Sequence, residues 1–202
     1  DRIRQAHAAF VTHLRAQPTP SLERLVRHLL GAGDEPGASA VAPEAAVHAA
    51  SRGAYGLAAE LYETALRHPG DQRVPLLRAR AEILEKSGRY EAAAAAFGDL
   101  REAVDGDDAV DAELREAAAR LASNDIDGGH ARLSAALAKI GERAKSPVGD
   151  VVAALKFLRG PSRRPDPAEM AGAPVDPDAK RRAEHLVRAG IHIGLIDPLP
   201  GI

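Results

Sequence analysis

Apolar residues recur at three- and four-residue spacing along most of the chain, the period of an amphipathic helix. Ile3, Ala6, Phe10 and Leu14 predict a helix over residues 1–16, ended by Gln17-Pro18. Thr19 with Pro20 behind it offers an N-cap and a first helical position. Leu22, Leu25, Val26, Leu29 and Leu30 then form the stripe of a second helix, which stops in GAGDEPG, residues 31–37. A third helix is expected over about 38–52; Pro43 lies inside it and either starts or kinks it. Gly53 and Ala54 make a turn into a helix over 56–68, and HPGD, residues 68–71, separates this hairpin from the next. Residues 72–87 and 90–104 predict a second hairpin, with Pro75 tolerable only near the first turn. Residues 110–123 and 126–142 predict a third, turned by Ser123-Asn124-Asp125. Ser146-Pro147 opens a helix near 148–159, and GPSRRPDPAEMAGAPVDPD, residues 160–178, has the Pro, Gly and charge content of a linker or long loop. Asp176-Pro177 starts a last helix to about 189, ahead of the apolar tail GIHIGLIDPLPGI.

Two of these hairpins echo each other. SRGAYGLAAELYETALRHPGD, residues 51–71, aligns with KSGRYEAAAAAFGDLREAVDG, residues 86–106, so that Gly53, Tyr55, Ala58 and Tyr62 meet Gly88, Tyr90, Ala93 and Phe97. Ala46 and Ala81 match on the preceding helices. Asn124, Ile126, Gly129 and Leu133 continue the series with a shift of one residue. A period of 34–36 residues with two helices per unit is the tetratricopeptide (TPR) pattern. Each position has a physical reading. Glycine, or asparagine as second choice, suits the left-handed angle where a first helix ends. Tyr55 and Tyr90 start the second helix and can lie across the turn. Ala58 and Ala93 permit close helix crossing, and Tyr62 and Phe97 fill the space one turn later. The expected fold is all-α, a TPR-like right-handed α-α superhelix of helical hairpins with degenerate repeats. The first helices have Ala42 and Leu77 where a TPR unit carries a bulkier residue. The expected organisation is a helical lead-in at 1–37, a hairpin array at 38–159, a linker at 160–178, and a terminal helix and tail at 179–202.

Composition supports helices over sheets. Alanine supplies about a fifth of the 202 residues, aromatics are 3% and Trp is absent; alanine favours helix, whereas a β core would want Val, Ile and aromatics. The net charge of −2, from 27 basic and 29 acidic residues, gives no field for nucleic acid or anionic lipid. The lack of cysteine rules out disulfides, thiolate nucleophiles and Cys-ligated metal. No run of about 18 apolar residues is present, and the expected location is cytoplasmic. DRIRQAHAAF has no apolar signal-peptide core. The opening without Met and the end at DPLPGI suggest a segment excised from a longer protein.

Motifs that carry chemistry are missing. There is no G-x-x-x-x-G-K-[ST], H-R-D, D-F-G or G-x-S-x-G. GAGDEPG follows a helix, not a strand, and lacks dinucleotide-loop spacing. His7, His13, His28, His48, His68, His130, His185 and His192 form no H-E-x-x-H and no i, i+4 pair, which leaves helix-surface histidine as the default for each. Asp107-Asp108 is expected as solvated charge in a connection, and PSRRP, residues 161–165, as solvated linker or a basic contact. Arg73, Arg80 and Lys86 lie along one first helix, and in a TPR groove such cations clamp a partner's carboxylates; the alternative is a solvated face. No catalytic residue, cofactor or metal site is expected.

Three stretches together resemble the TPR-like helical repeat region of large bacterial multidomain serine/threonine protein kinases that carry an AAA-type signal-transduction ATPase. They are SLERLVRHLLGAGDEPGASAVAPEAAVHAASRGAYGLAAELYETAL at 21–66, LREAAARLASNDIDGGHARLSAALAKIG at 114–141, and AEHLVRAGIHIGLIDPLPGI at 183–202. ATP-dependent transcriptional activators are similar in the first part. The insert at 160–178 departs from the pattern, and the family's catalytic residues have no matching positions here. The resemblance implies a non-catalytic segment that offers a surface to a protein or peptide partner, or relays binding to ATPase and kinase modules of the same chain. A stand-alone TPR-type adaptor is the alternative. Neither nucleic acid nor membrane is an expected partner.

Overall fold

The computed structural model describes residues 1–139 and the single residue Pro177. The helix expected at 148–159, the linker, the final helix and tail, PSRRP, His185 and His192 lie outside those residues. The described chain forms eight α-helices, with no strand among the described residues: α1 Arg2–Arg15, α2 Leu22–Ala32, α3 Glu35–Ser51, α4 Tyr55–Ala65, α5 Arg73–Lys86, α6 Tyr90–Glu102, α7 Gly106–Ala122 and α8 Ile126–Lys139. A short 3₁₀ turn, Gly70–Gln72, leads into α5. Consecutive helices pack on each other throughout.

The boundaries follow local chemistry. α2 starts later than Thr19-Pro20 suggests. Two X-Pro steps keep residues 17 and 19 out of the helical region, and Ser21, in extended conformation, is the N-cap. GAGDEPG is a stop and a start at once. Gly33 takes φ +83° at the end of α2, and the Asp34 carboxylate then accepts a 2.9 Å hydrogen bond from the Gly37 N–H, with Pro36 in the first turn. α3 therefore begins at residue 35 rather than 38. It runs through Pro43, whose missing N–H removes the bond that the Ser39 carbonyl would accept. Ser39 is anchored by its hydroxyl instead, which donates to the Thr64 carbonyl of α4 at 2.8 Å. Pro75 is the third residue of α5, as its first-turn tolerance requires. α7 begins four residues before the expected 110, at Gly106 after the extended Asp105. Asp107 and Asp108 thus sit in its first turn, where carboxylates favour the helix dipole, and not in a connection. Asp108 also pairs with Arg78 of α5 at 3.4 Å.

The core is alanine-rich and runs from Val11 and Leu14 in α1 to Ala112 and Ala119 in α7. Ala42, Ala45, Ala46 and Ala49 line the inner face of α3 with no exposed surface, and Phe97 is the largest fully enclosed side chain. Side chains this small let helix axes approach closely, so the packing gain comes from many short contacts rather than a few large ones. A second small cluster, Val110, Leu114 and Ala136 with Leu133 against it, joins α7 to α8.

Candidate functional site

Hairpins α3–α4, α5–α6 and α7–α8 turn in the same way. Gly53, Gly88 and Asn124 have φ of +76°, +73° and +68°. At each, two backbone bonds close the helix end: Gly53 N–H to Ala50 O with Ala54 N–H to Ala49 O, Gly88 N–H to Glu85 O with Arg89 N–H to Leu84 O, and Asn124 N–H to Leu121 O with Asp125 N–H to Arg120 O. This is the Schellman arrangement, which requires the left-handed residue. The crossing positions are equivalent too: Ala58, Ala93 and Gly129 are buried, as are Ala46, Ala81 and Ala117 on the first helices. A Cβ on Gly129 would lie 2.6 Å from the Leu121 side chain. Tyr62 and Phe97 are enclosed, whereas Leu133 is only partly covered. Burial, then the Glu82 carboxylate, raises the Tyr62 phenol above its ordinary value. The Arg115 guanidinium stacks 4.4 Å from the Phe97 ring centre.

Residues at the start of the second helices leave the core. Tyr55 is half-buried, while Tyr90 and Ile126 are 38% and 48% exposed. They stand on an edge of the array formed by the hairpin turns. Two open cavities of about 460 and 550 Å³ lie along this edge and share Glu91 and Ser123. One is walled by Arg89, Tyr90 and Ala122, the other by Ala94, Arg120 and Asp125. A third, of about 260 Å³, separates α2 from α4; Leu30, Leu57 and Leu61 floor it and Arg24, Arg27 and Glu60 rim it. Of the residues that start the second helices, Tyr90 lines one of these cavities and Ile126 follows Asp125, which lines another.

The three cations of α5 do not gather into a clamp. Arg73 and Arg80, seven residues apart, share a stripe, but Lys86 lies roughly 120° around the helix from Arg80 at about 100° per residue. Arg73 and Lys86 are exposed, whereas Arg80 pairs with Glu63 of α4 at 3.3 Å. Sequence spacing along one helix located the charges but not the partner that occupies Arg80.

The densest polar chemistry is on α7, where sequence reasoning did not look. Glu113 and Glu116 are almost fully buried. Glu116 accepts from Arg101 of α6 at 3.2 Å and from Arg120 of its own helix at 2.9 Å, and pairs with Arg132 of α8 at 3.1 Å. Glu113 accepts from Lys139 at 2.7 Å and lies 3.7 Å from Arg132. Arg120 also donates to Asp125 at 2.9 Å. That bond, with a second from the Gly128 N–H, holds the Asp125 carboxyl below its usual range, and the carboxylates around Arg120 hold its guanidinium above its own. On the other side of α7, Arg115 donates to Glu82 at 3.0 Å and Glu85 at 2.6 Å of α5. Burial pulls the Arg115 guanidinium down, and the two carboxylates more than offset it. Most of these pairs join neighbouring helices, an arrangement that fixes packing. Glu113 and Glu116 stand 36 residues after Leu77 and Arg80, a spacing that does not mark them as buried or paired.

The histidines give one surprise. Nδ1 of His7 in α1 and Nδ1 of His28 in α2 stand 2.9 Å apart, and Phe10 stacks on His28 with ring centres 4.8 Å apart. Burial, then the charges of His7, Arg24 and Arg27, lowers the His28 imidazole's affinity for a proton. A separation of 21 residues across two helices hides this pair from any local motif. His13, His48 and His130 are exposed on helix surfaces, and His68 lies 3.8 Å from Glu35. No group of three or more His, Cys, Asp or Glu could hold a metal ion among the described residues. No helix there is long and apolar enough to cross a membrane.

The site belongs to an all-α chain of helical hairpins. Compared with protein-family models, curated proteins and solved structures, the chain matches none.

Proposed function

We propose that this chain is a non-catalytic, TPR-like array that binds a protein or peptide partner, within a larger signalling protein. One observation carries the reading: the left-handed turns at Gly53, Gly88 and Asn124 recur at 35- and 36-residue intervals, with a small buried residue five positions after each. Units that each contact only their neighbours form an extended surface suited to binding rather than a closed reaction centre. The exposed Tyr90, which lines a turn cavity, and Ile126, next to Asp125 of the neighbouring one, offer a ligand apolar contact there. The resemblance of residues 21–66, 114–141 and 183–202 supports a serine/threonine kinase with an ATPase module as the parent, and a cytoplasmic setting.

The test has two parts. Purified 1–202 is assayed for ATP hydrolysis and phosphoryl transfer; turnover that survives rigorous purification overturns the reading. The reading frame upstream of Asp1 then separates kinase-associated segment from stand-alone adaptor: ATPase and kinase motifs in frame support the first, a start codon just ahead the second.

A further inference from the structure

α8, the last of the described helices, is lightly buried, as is α1 at the other end, which buries only Val11 and Leu14. α6 buries Ala93, Ala94, Ala96, Phe97 and Leu100, whereas α8 buries only Gly129 and Ala136. Its substantial neighbour among the described helices is α7. Two α8 cations seven residues apart, Arg132 and Lys139, make up much of the difference by reaching the buried carboxylates of α7. The two carboxylates are not equivalent. Glu116 keeps Arg101 and Arg120 if α8 leaves, but the cations that the structure gives Glu113 both come from α8. Arg132 and Lys139 are themselves 37% and 49% exposed, so water and salt reach these pairs while the helix is still docked. The carboxylate ends are enclosed and the cation ends are not, so salt weakens these pairs from outside, as it does not weaken the enclosed alanine contacts deeper in the array.

We propose that the face of α7 carrying Val110, Glu113, Leu114 and Glu116 is an exchangeable berth for an amphipathic helix, occupied in cis by α8. The recognised partner segment has a small residue where Gly129 meets Leu121, apolar or small residues at the Leu133 and Ala136 positions, and cations seven residues apart. Charge complementarity selects it, because a helix with acidic residues at the Arg132 and Lys139 positions would face two buried carboxylates. α8 therefore gates the berth: its tethering gives it a high effective concentration, and a partner gains access when the ion pairs loosen. The gate rests on the reading of this chain as an interaction array, but the experiment uses the chain's own helix as the probe, so it can fail or succeed independently of any natural partner.

Two measurements on residues 1–202 test this. Amide hydrogen exchange followed by mass spectrometry should show α8 exchanging at least about tenfold faster than α4 and α6, and faster again at 1 M than at 0.1 M NaCl. Fluorescence anisotropy with a labelled synthetic peptide of residues 124–139 reads the berth directly. The chain carrying Arg132→Gln with Lys139→Gln, whose own helix competes less well, should bind the peptide about threefold or more tighter than the unaltered chain. Adding Glu113→Gln should remove that gain. Exchange of α8 as slow as that of α6 at both salt concentrations overturns the proposal, and this arm stands whether or not the variants fold. Equal or weaker peptide binding by a double variant whose α3–α6 exchange is unchanged also overturns it.

Discussion

Replacing Phe97 by alanine tests the packing argument at its centre. The ring is wholly enclosed in α6 and covered by the Arg115 guanidinium, which Glu82 and Glu85 of α5 hold from the far side. An aromatic side chain of this kind buries on the order of 150 Å². At about 25 cal/mol per Å² that area corresponds to nearly 4 kcal/mol, of which the retained Cβ keeps about 0.8. The void left behind adds a cavity term of about 24 cal/mol per Å³, approaching 2 kcal/mol if a ring-sized space of roughly 80 Å³ stays open. Arg115 is tied to two carboxylates and cannot simply fall into the gap. The expected loss is about 3–5 kcal/mol. Urea unfolding followed by far-UV circular dichroism measures it, with exchange of the α6 amides reading the same site locally. Phe97→Leu separates the contributions: it keeps most of the volume and should cost only about 1–1.5 kcal/mol. A loss below about 1 kcal/mol for alanine would refute the placement of the ring between hairpins. A leucine as costly as alanine would move the energy from packing to the Arg115 stack.

Three further predictions probe the turns and crossings. Gly129→Ala should destabilise by about 1–3 kcal/mol, since the new Cβ would stand 2.6 Å from the Leu121 side chain and 3.1 Å from its backbone N, and one of them must shift; thermal unfolding measures it, and an unchanged midpoint would deny the close crossing. Asn124→Gly should stabilise by up to about 1 kcal/mol by relieving a non-glycine residue at φ +68°, whereas Asn124→Ala should destabilise. Asp125 has a folded pKa depressed by Arg120 and the Gly128 N–H. Its contribution is present above its unfolded pKa near 3.9 and is lost as pH falls through the lower folded value. Asp125→Asn should therefore reduce stability at neutral pH and flatten the acid limb of a plot of unfolding midpoint against pH; an unaltered acid limb would count against the pairing.

Helix positions and the turns at Gly53, Gly88 and Asn124 were legible because they rest on local rules. Gly53 and Gly88 were readable as left-handed ends, and Ala58 and Ala93 as crossings, from spacing alone. The starts of α3 and α7 were missed because the apolar stripe was read in preference to the acidic caps. Asp34 and Asp105 precede helices whose first turns are polar, so periodicity sees those helices three or four residues late. The His7–His28 pair, the Arg80–Glu63 pair and the ion cluster of α7 were not legible at all. Each joins different helices, and a one-dimensional period carries no information about which faces meet.

The ion cluster also explains why the third repeat looked weaker than the other two. Station for station, Ala42 becomes Leu77 and then Glu113, and Ala45 becomes Arg80 and then Glu116. All but Arg80 are buried, while Ala46, Ala81 and Ala117 hold their common position unchanged. The backbone arrangement thus survives while the interior it encloses shifts from alanine, to mixed, to charged. A carboxylate tolerates such a station only if a cation reaches it there, and Arg101, Arg120, Arg132 and Lys139 do so from three helices, with their own charged ends partly exposed. That substitution exchanges non-directional apolar contact, which is insensitive to salt, for pairing that depends on charge and geometry. Rigidity should accordingly fall from α3–α6 toward α8 along an architecture that looks uniform. This gradient is what would allow one end of the array to respond to a partner while the rest stays folded.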